Sequence, residues 1–194
     1  MPRVRIDQTE LARRSSDVRQ LVRPLIIDPT SHRPRTTIAC SQVPSSSSYI
    51  LGAHEGGRQS SDYRSWRFGS LKSGFRCMYF EIWNPEDTSR RSWSLYRAYF
   101  SLYRVNRATR FEDEILAIHC DPEEADTAPH ALYKQGPHLH VTAGSYPLPH
   151  AHFALNRGHL VDVLRDAPSL FDALGGAFIM VADEVLSLAW QDAA

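Results

Sequence analysis

Residues 136 to 156, GPHLHVTAGSYPLPHAHFALN, carry four histidines as two His-x-His pairs, His138 with His140 and His150 with His152, on either side of a turn-rich spacer. Imidazole titrates near neutrality and is the commonest transition-metal ligand, so this density suits several chemistries. Convergent ring nitrogens can hold Zn²⁺ or another borderline divalent ion. Two histidines in different protonation states beside an arginine can serve as general base and acid in phosphodiester cleavage through an RNA 2′-hydroxyl, without a metal. A third use is a surface whose charge grows below about pH 6.5. The plain alternative is a hairpin whose exposed histidines have no catalytic purpose. Seven of the nine histidines fall between His119 and His159. His119 stands two residues before Asp121, a carboxylate able to orient it.

These side chains need a scaffold, and the local patterns supply one. If 137–142 and 149–155 are strands, side chains alternate between faces. His138, His140, His150 and His152 then share one face, with Leu139, Val141, Phe153 and Leu155 on the core side. Pairing about Ser145 sets His140 opposite His150 and His138 opposite His152. Upstream, FRCMYFEIW, SWSLYRAYFSLYRV and FEDEILAIHC are rich in aromatic and β-branched residues and bounded by the turn signals NPEDTSRR and NRAT, which predicts an antiparallel meander. The aromatics and arginines at Tyr96, Arg97, Tyr99, Tyr103 and Arg104 suit either a stacking platform for single-stranded nucleic acid or a sheet face packing on the core with arginines at its rim. Downstream, Leu160, Val163 and Leu164 fit a short helix, and a second apolar helix runs on toward Trp190, punctuated by Pro168 and Gly175-Gly176.

At the N-terminus, Asp7 three residues before Glu10 is a capping-box start, and Leu11, Val18, Leu21 and Val22 give an apolar stripe. Residues 28–65, rich in Pro, Ser and Gly, read as irregular connection. The expected fold class is α+β: an antiparallel β-meander sheet covered by C-terminal helices, with an N-terminal helix and an irregular arm. The expected division is a basic arm over 1–73 and an α+β domain with the histidine hairpin over 74–194.

Formal neutrality conceals a bipolar chain: residues 1–110 hold 19 basic against 9 acidic residues, and residues 111–194 hold 3 against 13. Of the 22 basic residues 20 are Arg, whose planar fork suits phosphate or carboxylate. The Arg-rich half can therefore meet RNA or another nucleic acid, meet an acidic partner protein, or fold against the acidic half. Arg97, Arg104 and Arg107 are the candidate phosphate contacts. The three cysteines, Cys40, Cys77 and Cys120, form neither a disulfide framework nor a Cys-x-x-Cys zinc site. With no long apolar run and no apolar leader at the Arg-studded start, a cytoplasmic protein without a membrane span is expected.

The stretch FEDEILAIHCDP, followed by GPHLHV, LPHAHF and GHLVDVLRDA, resembles the TumE-type toxins of prokaryotic toxin-antitoxin pairs over residues 75 to 167. Those are small proteins with a β-meander, a histidine-rich segment and a closing helix. This chain has PHLH and PHAH where that family has adjacent histidines, and its first 70 residues have no counterpart there. The resemblance implies a cytoplasmic toxin directed at nucleic acid and a cognate antitoxin. The residues themselves suggest a hydrolase of RNA or another phosphodiester, with His138, His140, His150, His152, His119 and Asp121 at its centre. No cofactor is certain from sequence. If the centre is metal-dependent, His138, His140, His150 and His152 are the expected ligands of Zn or another divalent transition metal. The alternative is a nonenzymatic interaction protein of a bacterial multi-protein system, its histidines serving a structural metal or a partner.

Overall fold

Asp7 and Glu10 close the first helix as their spacing predicts: the Asp7 amide donates to the Glu10 carboxylate and the Glu10 amide to the Asp7 carboxylate, each at 2.8 Å. That reciprocal cap satisfies two amides at the helix start that no helical carbonyl can reach. In the computed structural model, residues 3–26, 36–42, 47–55, 62–69, 74–86, 91–106, 108–122, 136–141, 151–155 and 160–186 are described, with 36–42, 141, 151–154 and 160–161 described by backbone alone. A short strand β1 (Arg5–Asp7) leads into α1 (Gln8–Ile26), then β2 (Thr36–Gln42), β3 (Tyr49–Glu55), β4 (Phe75–Pro85), β5 (Ser92–Val105), β6 (Glu112–Cys120), β7 (His138–Val141) and β8 (Ala151–Ala154). One helical turn α2 (Leu160–Val163) and α3 (Ala167–Val181) follow, and α3 runs into a π-helical turn, Ala182–Leu186.

The eight strands form one antiparallel sheet in the order β2-β3-β4-β5-β6-β7-β8, with β1 paired to the start of β5. The expected α+β architecture is present, and β4, β5 and β6 are the expected meander. The N-terminal stretch differs from its compositional reading. Residues 36–42 and 49–55, inside the segment expected to be irregular, are two full strands. Their short apolar cores, TTIACSQ and YILGAHE, are masked in any compositional window by the Ser- and Gly-rich residues around them. α1 also continues past Pro24 to Ile26, because Leu25 is buried in the core. In the C-terminal helix Pro168 sits in the first turn, where no amide is needed, and Gly175-Gly176 lie inside the helix without interrupting it.

Alternation along the central strands makes two apolar layers. Cys77, Tyr79 and Trp83 of β4 and Phe100 and Leu102 of β5 point to the helix side, where Leu11, Val18, Leu21 and Val22 of α1 and Leu170, Leu174 and Phe178 of α3 close the main core. Phe178 meets Tyr79 edge-on at 5.4 Å and Phe100 at 4.7 Å between centroids. On the other face, Ile50, Trp66, Met78 and Phe80 form a smaller cluster that Tyr63, Ile82, Tyr99 and Tyr103 flank. Gly52 makes that second layer possible: a Cβ there would sit 2.6 Å from Trp66 Cε3 and 2.7 Å from the Tyr79 carbonyl oxygen.

Candidate functional site

A single cross-strand row carries the histidines. Register aligns Phe80 with Tyr99, Tyr99 with His119, His119 with His138, and His138 with Ala154. Directly opposed residues share a face, and Tyr99 packs with the second, helix-free cluster. The imidazoles therefore stand on the face away from the helices. Their neighbours in sequence, Ile118 and Leu139, point into or pack on the main core, which pins the strand register, since a one-residue slip would exchange the faces.

His119, His138 and His140 each offer a ring nitrogen, and these atoms all lie within 4.8 Å of one another. Ring centroids are 4.4 Å apart for His119–His140, 5.4 Å for His138–His140 and 5.9 Å for His119–His138. His138 is fully buried, while His119 and His140 are half-buried. The three together could hold a metal ion. His138 Nδ1–H donates to the Gly136 carbonyl oxygen at 2.9 Å. A carbonyl only accepts, so Nδ1 keeps the proton and Nε2 of the neutral ring keeps its lone pair. His119 is held differently: Tyr99 stacks on it at 4.0 Å with an 11° interplanar angle.

An arginine stands beside this stack. The Arg97 guanidinium carbon lies 4.4 Å from the Tyr96 ring centroid and 5.2 Å from that of Tyr99. Its Nη2–H donates to the Tyr96 hydroxyl at 3.0 Å, and its Nε is 3.7 Å from the carboxylate of buried Asp121. A β-bulge lies immediately before Arg97. Arg97 opposes Ile82 and Leu95 opposes Trp83, so Tyr96 is the extra residue. Arg97 keeps the parity of Tyr99 and stays on the histidine face, while the bulge returns Leu95 to the helix side.

Compared with known protein families, curated proteins and solved structures, the chain matches none. The site must be read from its own chemistry.

The geometry rearranges the expected set. His138, His140 and His119 come together. The hairpin pairs His140 with His152 and His138 with Ala154, a displacement from the expected pairing of His140 with His150 and His138 with His152. Parity survives because the pairing slips by an even number of residues. His152 is thus at the register position opposite His140, and His150 lies outside the described residues, as does Arg107. Asp121, expected to orient His119, makes its ion pair with Arg97. Arg104 is not brought to the site. It is exposed at the far end of β5, on the opposite parity and about 16 Å along the strand from Tyr99. Nor do the aromatics form a free stacking platform, because their rings are engaged internally: Tyr99 with His119, Tyr96 with Arg97, and Tyr103 with Arg67, whose guanidinium lies 4.3 Å from the ring.

The cysteines add no ligand or nucleophile among the described side chains. Burial pushes the Cys77 thiol up to about 12. Cys120, next to His119, is raised well above its ordinary value, first by burial and then by the charges of Asp121 and Glu81.

A second polar constellation lies under α1, and sequence reasoning passed over it. Arg14 grips Glu81 with two hydrogen bonds, at 2.9 and 2.6 Å, and both side chains are buried. Tyr79 Oη–H and Trp83 Nε1–H donate to the same carboxylate. Burial alone would raise the Glu81 pKa; the charge and hydrogen bonds of Arg14, with those of Tyr79 and Trp83, outweigh it and hold the carboxyl below its usual range. The signal was present: Arg14 falls in the α1 apolar stripe and Glu81 shares the parity of Tyr79 and Trp83. A cavity of about 230 Å³ lies beside this pair, lined by residues including Ile6, Asp17 and Phe171. It opens on the helix side, so cavity and imidazole cluster do not coincide. The cavity's buried arginine is already satisfied by Glu81 and by Asp17 at 3.7 Å.

Proposed function

We propose that this protein is a hydrolase of RNA or another phosphodiester, working on the histidine-bearing face of the sheet. The observation that carries the reading is the convergence of His119, His138 and His140 beside Arg97, with one imidazole locked in a single tautomer and the other two accessible. Phosphodiester cleavage requires a proton taken from the nucleophile, a proton given to the leaving oxygen, and positive charge near the phosphoryl oxygens. Accessible imidazoles meet the first two needs at neutral pH, and a planar guanidinium meets the third. The cofactor this reading favours is zinc or another divalent transition metal, which can supply a hydroxide nucleophile near neutrality.

The resemblance to TumE-type toxins supports a nucleic-acid target, a cytoplasmic site of action and a cognate antitoxin as partner. Among the described residues no helix is long and apolar enough to cross a membrane. The second reading is a nonenzymatic interaction protein with a structural metal, and the complete burial of His138 favours it, since a structural site closes around its ion.

The deciding assay is cleavage of mixed-sequence RNA by the wild type and by His140→Ala, each with and without EDTA. The hydrolase reading expects cutting by the wild type alone, with the Tm of the variant preserved. Activity that survives EDTA assigns the imidazoles acid–base roles; activity lost to EDTA assigns them a metal. No cutting under any condition, together with a lower Tm in His140→Ala, transfers the assignment to the interaction protein.

A further inference from the structure

We infer that His119, His138 and His140 form one preorganised three-imidazole site for a borderline divalent transition metal, with Zn²⁺ as reference ion and a coordination position left open. The inference concerns the same centre as the hydrolase reading but rests on coordination geometry alone. Zn–N bonds of 2.0–2.1 Å in a tetrahedron set ligand nitrogens about 3.3 Å apart. The observed ring nitrogens all lie within 4.8 Å of one another, so an ion would have to draw them in by up to about 1.5 Å.

Three further features point the same way. First, the ligands sit on two hydrogen-bonded strands: His138 and His140 are two residues apart on one face, and His119 is the direct cross-strand partner of His138. The ladder thus fixes their separation before any ion arrives. Second, the hydrogen bond from His138 Nδ1–H to the Gly136 carbonyl is the outer-shell contact that metal-binding histidines characteristically make, and it presents Nε2 as the donor atom. Third, the parallel Tyr99 ring holds the plane of His119.

The donor set also selects the ion. Three neutral nitrogens without a carboxylate suit Zn²⁺, Co²⁺, Ni²⁺ or Cu²⁺ and disfavour Mg²⁺ and Ca²⁺, which seek oxygen. His119 and His140 are only half-buried, so the coordination sphere opens toward solvent on their side, leaving room for water or an exogenous oxygen.

The test is calorimetric titration of tag-free, metal-stripped full-length protein with ZnCl₂, followed by visible absorption of the Co²⁺ form. One equivalent per chain is expected, with Co²⁺ bands of a nitrogen and oxygen environment and no displacement by excess Mg²⁺. His140→Ala and His119→Ala, both at half-exposed positions, should each bind at least about 10-fold more weakly, as removing a direct ligand costs no less than removing its outer-shell support. The inference is overturned if the wild type takes up neither ion saturably, or if folded His140→Ala retains wild-type affinity. Zinc binding by a protein that cuts no RNA upholds this site while removing the hydrolase reading. RNA cleavage by a protein that takes up no metal does the reverse.

Discussion

Glu81 accepts hydrogen bonds from Arg14, Tyr79 and Trp83 in the middle of the helix-side core. Breaking one side of such a pair leaves the other charge buried without compensation, whereas replacing both by apolar groups is often neutral. Glu81→Leu should therefore lose about 3–5 kcal/mol of stability in urea denaturation, and Arg14→Met combined with Glu81→Leu should recover only part of it, since Tyr79 and Trp83 still lack their acceptor. Acid should expose the same pair. The folded carboxyl titrates below the unfolded value of about 4.3, so its contribution is complete at neutral pH and fades as pH drops below that value through the folded pKa. Asp166, whose carboxyl is brought to about 2 by its hydrogen bonds to Ser169 and Arg165 at the start of α3, acts in the same direction. The wild-type urea midpoint should thus fall more steeply between pH 5 and 3 than that of Glu81→Leu. Parallel slopes would show that Glu81 is not the group titrating.

Within the elements, small irregularities decide what each face presents. The extra residue at Tyr96 sends Leu95 and Trp93 into the core while Arg97 stays on the face of Tyr99 and the histidines. A second irregularity in β6 makes Ile115 the extra residue, since Leu102 opposes Leu116 and Tyr103 opposes Glu114. Gly52 performs the complementary task of absence, admitting Trp66 against the backbone of β3. Gly52→Ala should cost about 1–3 kcal/mol, because the added methyl meets a buried indole and a carbonyl oxygen that cannot both retreat. A thermal melt checks this, and an unchanged Tm would mean that Trp66 moves away freely.

At the scale of the whole molecule, the first half and the second half close one core. α1 packs its apolar stripe on the sheet and against α3, and β3 lies against β4. Two ion pairs, Arg67–Glu112 and Arg97–Asp121, join the basic half to the acidic half, so part of the charge asymmetry is spent inside the fold. A chain beginning at residue 74 would lack α1 and β1–β3 and expose the helix-side face of the sheet. It should melt without a cooperative transition. A sharp melt near the wild-type Tm would establish residues 74–194 as a unit that folds alone.

Local pattern by itself determined the α1 cap at Asp7 and Glu10, the meander, the shared face of His138 and His140, and the core-ward side of Leu139, because caps and strand parity depend on residues close in the chain. It nominated His119 from histidine density and from Asp121 two residues further on. Only the tertiary structure decided that His119 completes the trio and that His140 faces His152 rather than His150, because cross-strand register depends on residues far apart in sequence. The same holds for the bulge that parts Leu95 from Arg97, and for Arg14 with Glu81, each a misfit on its own element. Two buried opposite charges 67 residues apart become mutually favourable only when the helix lies on the sheet.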